Sequence, residues 1–347
     1  MRSLGDGMRA LIVGAALLLP LPHAAHAEET VRIGLGAPVL SYLPIWAARA
    51  LDSFKAQGLT ASVASLPGGD ASALAALDAG DIDLAAVGTD AVLRAVAKGQ
   101  PFEMVDTLMS KVTLQLVASP AFLKRAGVTA GDPLQKRLAA LKDATIGVTS
   151  LAGVQENAAR WLAAKGGLDP KTGIKVAQVG SPTAVQAALE VGRIDAFVLS
   201  PPEGYNAEKA GTGVVLVSLG DEFPLLAQQP YLVLVAKKPI EAGKAGLITK
   251  TVRAMQAASA AVTAKPDETA AEIQRRFFAK ASPDAVASAV KAMASGVAGN
   301  GRLDASSVGN ALTFAKEVGA PYGKGVDAKA SENDLWTNQF VEEAQKQ

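Results

Sequence analysis

Six turns and one lysine hold the side chains of this 347-residue chain that could grip a small molecule. Ser41 and Tyr42, Gly69 and Asp70, and Thr89 and Asp90 occupy the first third; Thr149 and Ser150, Ser181 and Thr183, and Ser200 and Glu203 occupy the middle. Lys111 stands between the two groups. Each turn falls where a short apolar run ends and a helical pattern begins. In open α/β sheets such turns gather at the carboxyl ends of the strands, where helix N-termini point free N–H groups and a positive dipole end into a crevice. Hydroxyls and amides there suit an anion. Asp70, Asp90 and Glu203 suit an amine or a heterocyclic donor instead, and would repel an anion at low effective dielectric unless Lys111 compensates. Plain capping also explains Ser, Thr or Asp at a helix start, Tyr42 either stacks on a ligand or packs, and lysines are commonly solvated. The placement of all six turns on one rim is what favours a binding role, with a small organic ligand preferred to nitrate.

Much other chemistry is excluded. The chain has no cysteine, and its two histidines, His23 and His26, precede residue 28. Thiol nucleophiles, Ser-His-Asp triads and nearly every zinc site therefore lack their parts in the remainder. No cofactor, metal or catalytic residue is expected. An enzyme built on Asp70, Asp90, Glu203 and Lys111, such as a lyase or precursor synthase, is the contrasting reading.

The elements that must position these residues repeat. PGGDASALAALDAGDIDLAAVGT (67–89) matches VGSPTAVQAALEVGRIDAFVLSP (179–201), with Gly80/Gly192, Ile82/Ile194 and Asp83/Asp195 in register. Around the first copy, VRIGLGA, TASVASL and DLAAVGT read as strands, and VLSYLPIWAARALDSFKAQG, DASALAALDAG and TDAVLRAVAKG as helices. Around the second, TIGVTS, IKVAQVG and DAFVLS alternate with helices in the same order. Strand–helix alternation implies mainly parallel sheets, here two α/β lobes of one design. Met104–Ser119 and Ala227–Lys238 read as extended segments crossing between the lobes. From about Pro239 the chain turns helical, and these helices are expected on the first lobe. The reading assigns 28–112 plus 227–347 to lobe 1, 113–226 to lobe 2, and the ligand cleft to the gap between them.

The first 27 residues differ from the rest. Arg2 and Arg9 precede an apolar run from Ala10 to Leu21, then Ala25-His26-Ala27 offers a small-x-small cleavage site. That is the pattern of a signal peptide; the run is short and broken by Pro20 and Pro22, which argues against a membrane anchor. Met8 would also serve as the start. Without residues 1–27 the chain is formally neutral, so nothing draws it to nucleic acid or an anionic membrane. A soluble periplasmic protein, expected as a monomer, is the implied setting.

PVLSYLPIWAARALDSFKAQGLT, LDAGDIDLAAVGT, the run GLDPKTGIKVAQVGSPTAVQAALEVGRIDAFVLSPPEG and the terminal ENDLWTNQF together resemble the solute-binding proteins of ABC importers in the nitrate/sulfonate/taurine class, which includes binders of thiamine precursors. The likeness lies in order and spacing over nearly the whole chain. Trp46 and the loop SLAGVQEN depart from common members and bear on the substrate. The resemblance implies two Rossmann-like lobes of the type II periplasmic binding protein, closing on a sulfonate, carboxylate or heterocycle and delivering it to an inner-membrane permease. Presentation of the ligand to a membrane sensor kinase instead of a transporter is a separate reading that the sequence does not distinguish from transport.

Overall fold

The computed structural model describes residues 29–149, 151, 153–318 and 331–346. The export signal expected over 1–27, and Ser150, lie outside the described residues. Among the described residues ten strands form two five-stranded sheets: β1 (Glu29–Leu35), β2 (Leu59–Ser65), β3 (Leu84–Gly88), β4 (Phe102–Met109), β5 (Gln115–Ala118), β6 (Thr145–Val148), β7 (Lys175–Gln178), β8 (Ala196–Leu199), β9 (Val214–Ser218) and β10 (Leu232–Lys237). The orders are β2-β1-β3-β10-β4 and β7-β6-β8-β5-β9. In each sheet one strand, β10 or β5, runs antiparallel to its two neighbours. Each sheet is thus mainly parallel, and the strand inserted fourth is the one supplied by a crossing.

Burial explains the strand sequences. β3 and β5 are buried along their whole length, β3 as an unbroken apolar or small run and β5 as one after Gln115, whereas the edge strand β2 alternates. Helices cover both faces of each sheet, giving apolar clusters on either side of both.

The repeated clause is a packing device. Gly80 and Gly192 end their helices at φ +81° and +71°, a conformation that glycine adopts without strain. Ile82 and Ile194 then press into notches at Gly34 of β1 and Gly147 of β6, where an added Cβ would lie 2.5 Å from the isoleucine Cδ1 in both lobes. Asp83 Oδ2 accepts the Arg32 N–H at 3.0 Å, and Asp195 Oδ2 accepts the Thr145 N–H at 2.9 Å. An arginine, Arg32 or Arg125, also pairs with each carboxylate. Matching residues therefore lock the turn before β3 or β8 onto the strand beside it, and in doing so aim the next turn at the carboxyl edge.

One expected helix is broken. The segment from Leu43 forms helices Leu43–Ala50 and Ser53–Ala56, interrupted where Asp52 takes φ +54°. The break lets Phe54 bury on the first lobe while Trp46 packs against Phe277 and Phe278 at 5.4 and 5.5 Å. The helices Ala242–Ala264, Pro266–Phe277 and Pro283–Ala294 share the core of the first sheet, as expected of the helical tail.

A further helix, Ala305–Val318, lies across both sheets. Val308 and Ala315 join the core of the first, while Phe314 enters that of the second. There Phe314 and Phe223 meet Trp161 edge-on, at 5.4 and 4.6 Å, and Glu317 accepts the Trp161 indole N–H at 2.7 Å. The two crossings run side by side and are hydrogen-bonded: the Gln229 N–H donates to Ser110 O, Tyr231 N–H to Met109 O and Val112 N–H to Leu226 O. Among the described residues no helix is long and apolar enough to cross a membrane.

Candidate functional site

Both sheets present their carboxyl edges to the crossings, and one residue touches both. Tyr231, just before β10, sets its hydroxyl beside Ser200 and Thr113 of the second lobe. Its backbone oxygen accepts the Thr89 N–H of the first lobe at 3.2 Å, and the Thr89 hydroxyl donates to Pro230 O. Thr113 Oγ1 and Ser200 Oγ lie 3.1 Å apart. β10 and β5 run antiparallel, so their starts reach the same edge as the ends of the parallel strands.

On the first-lobe side the carboxylate of Asp70 folds back across the sheet edge. Helix Asp70–Ala79 begins after Gly69, and Asp70 does not cap it. Its Oδ2 accepts the Gly88 N–H at 3.0 Å, and its Oδ1 accepts the Tyr42 hydroxyl at 3.3 Å. The fit depends on two glycines: a Cβ at Gly36 would overlap Asp70 Oδ1, and one at Gly88 would stand 3.1 Å from Asp70 Oδ2 and 2.6 Å from Asp90 Oδ1. Asp90, in the first turn of helix Thr89–Ala97, pairs with Arg94 at 3.0 Å.

Electrostatics follow from this crowding. Burial, then the Asp90 charge, push the Asp70 carboxyl up to about 7, against the Gly88 N–H, the Tyr42 hydroxyl and Arg94. Burial raises Tyr42 well above the usual phenol, helped by Asp70. Burial also carries Tyr231 to about 12, opposed by Ser200, while Asp90 and Asp70 add to the rise. Glu203, which opens helix Glu203–Ala210, reaches about 7 through burial, opposed by its own backbone amide.

The remaining sequence-expected residues lie differently. Lys111 is paired with Asp221 and bonded to Ser295 Oγ at 3.2 Å, so its ammonium is committed within the crossing region. Thr149 donates to Gln155 Oε1 at 2.6 Å, joining its loop to the helix that follows. Ser181 accepts the Ala184 N–H at 3.2 Å as a cap, and it and Thr183 are exposed. Ser41 is buried, and Gly69 turns the chain at φ +78°. The residues that come together are therefore Tyr42, Asp70, Thr89, Asp90 and Ser200, joined by Tyr231 and Thr113, which the sequence reading missed. Gln115 and Tyr205 were missed too. The available signal was the pair of strand starts, KVTLQLV and QPYLVLV, at the crossings. The cavity beside this cluster, lined by Thr113, Gln115, Pro201 and Tyr205, measures about 30 Å³. An organic solute needs roughly tenfold more room than this.

The NMT1-like family model matches residues 24–279. The chain belongs to the NMT1-like family. No curated protein matches the sequence. Solved structures share the fold of this NMT1-like chain. A protein of Bordetella bronchiseptica RB50 is 23% identical with a TM-score of 0.72, the match covering 92% of this chain and 98% of that one. The periplasmic aliphatic sulphonate binding protein SsuA of Escherichia coli is 17% identical with a TM-score of 0.67, over 89% and 92% of the two chains. The periplasmic nitrate-binding protein NrtA of Synechocystis PCC 6803 is 14% identical with a TM-score of 0.68, over 91% and 88%. The fold is that of type II periplasmic binding proteins, and the family assignment agrees with the nitrate/sulfonate/taurine solute-binding class.

Proposed function

We propose that this chain is the exported solute-binding component of an ABC importer. It captures a small organic molecule between its two lobes and hands it to a membrane permease, without transforming it. The observation that carries the reading is the junction at Tyr231, where strand ends of both sheets converge on one residue through Thr89, Ser200 and Thr113. Solute held there would touch both lobes, so binding and closure are the same event, and closure would strip water from each hydrogen bond to the solute. The ligand set is Tyr42, Asp70, Thr89, Asp90 and Ser200, with Tyr231 and Thr113 at the hinge. The solution test is small-angle scattering combined with calorimetry. A saturating ligand reduces the radius of gyration; absence of both heat and compaction across sulfonates, carboxylates, amines and heterocycles would refute the proposal.

An enzymatic reading has one observation in its favour, the carboxyls of Asp70 and Glu203 held near neutrality, where acid–base catalysts operate. Turnover of a bound solute, abolished in Asp90→Asn, would support it over transport.

A further inference from the structure

From the acceptors that line this cleft we infer that the solute presents nitrogen donors, as an amine, amidine or amino-heterocycle, and that the site discriminates against sulfonate, nitrate and carboxylate. The inference rests on the proposed solute-binding role and narrows it to a chemical class.

The first argument is that the anion seat of lobe 1 is already taken. The edge of a parallel sheet attracts anions because backbone N–H groups there lack partners. Here the Gly88 N–H is consumed by Asp70, whose carboxylate lies across Gly36 and Gly88 with the Tyr42 hydroxyl on its other oxygen. Asp90 stands beside it. An incoming anion would have to displace a carboxylate seated in the protein and then sit next to a second one. A donor meets the opposite situation, because each carboxylate oxygen accepts more than one hydrogen bond.

The second argument is independent and comes from the other lobe. Gln115, at the start of β5, is 4% exposed, and its Oε1 is buried with no hydrogen-bond partner. Tyr205 lies beside the Gln115 side chain, and Oε1 lies against Gly204, where a Cβ would approach it to 2.5 Å. Gln115 lines the cavity that also holds Thr113 and Pro201, the neighbours of the Tyr231 junction. A buried acceptor left without a donor is destabilising, and a donor on the solute would relieve that cost.

The cations of the region do not reverse this. Arg94 is paired with Asp90 and Lys111 with Asp221. With Asp70 ionised, Asp70, Asp90 and Arg94 together leave lobe 1 negative at the cleft.

The test compares probes matched in size, benzamidine against benzoate and benzylamine against benzenesulfonate, by calorimetry and scattering on the chain without its first 27 residues. The nitrogen probes are expected to bind at least about tenfold tighter than their anionic counterparts, the scale of one charged hydrogen bond. Asp90→Asn and Gln115→Leu, each checked by circular dichroism for an intact fold, are expected to weaken benzamidine by about fivefold or more. Equal or tighter binding of benzoate or benzenesulfonate overturns the inference, and if it compacts the protein the solute-binding reading survives. Failure of all four probes to bind overturns the inference as well. Nitrogen binding unaffected in both folded variants also overturns it, because the named acceptors would then not be the ones used.

Discussion

Asp70→Asn isolates the cost of holding a carboxyl in the cleft. Beyond residue 27 the chain has no histidine, so between about pH 5 and 8 the side chains titrating in the folded protein are its perturbed carboxyls. The Asp70 carboxyl stands at about 7 in the fold and near 4 in an unfolded chain. Because the folded value is the higher, the native state holds the proton more tightly. The stabilisation is complete below the unfolded value and is lost as pH rises through the folded one. From pH 5 to 7 a group with these two values removes at most about 2 kcal/mol. Glu203, also near 7, and buried Asp106, raised well above the usual carboxylate by burial, act in the same direction. Asparagine keeps an oxygen for the Gly88 N–H and removes the titration. Urea denaturation followed by tryptophan fluorescence at pH 5, 6, 7 and 8 is the assay. The parent loses stability across the range, Asp70→Asn loses about 2 kcal/mol less, and the variant is the more stable protein at pH 8. Curves for parent and variant that stay parallel throughout would refute the reasoning.

Other outcomes follow from the same geometry. Benzamidine affinity rises about tenfold between pH 6 and 8 as Asp70 ionises, and Asp70→Asn flattens that rise; calorimetry in buffers of matched ionic strength measures both. The charged and titratable groups that face Asp70 are Tyr42, Asp90, Arg94 and Tyr231, with Lys111 held by Asp221. Gly147→Ala overpacks the notch that receives Ile194 and destabilises the protein by about 1–3 kcal/mol; in an Ile194→Val background, which removes the clashing Cδ1, the penalty falls by at least half. Equal penalties in the two backgrounds would contradict the packing role of the repeated clause. Phe314→Ala costs about 3–5 kcal/mol in urea denaturation and shifts Trp161 emission to the red, because the helix that spans both lobes loses its hold on the second core.

The alternation of apolar runs and alanine-rich helices made the two lobes legible, and the repeated clause showed that they share a design. Its function was less visible. Ile82 and Ile194 are conspicuous as text, but only the coordinates reveal that Gly34 and Gly147 are cut to receive them. β9 and the helix Ala305–Val318 escaped notice, because the β9 residues carry no clear alternation and the helix divides its apolar residues between two cores. The break at Asp52 was hidden by continuous helical periodicity, since a single residue at positive φ leaves little trace in a pattern of apolar spacing.

The candidate site was half legible for a related reason. Tyr42, Asp70, Asp90 and Ser200 could be placed on one edge from the sequence because they follow the ends of parallel strands. Tyr231, Thr113 and Gln115 were missed because they come from the starts of antiparallel strands, which reach the same edge from the opposite direction. Asp70 looked like a helix cap from its place in the sequence. Its actual partners, Gly88 and Tyr42, lie 18 and 28 positions away, and no local pattern reports such a fold-back.

Amide hydrogen exchange with and without saturating benzamidine tests the central claim most directly. Capture between the lobes protects segments 88–90 and 229–232 on one side together with 113–116 and 200–205 on the other, all with the same saturation curve. Protection confined to one lobe, or falling away from the Tyr231 junction, would contradict it.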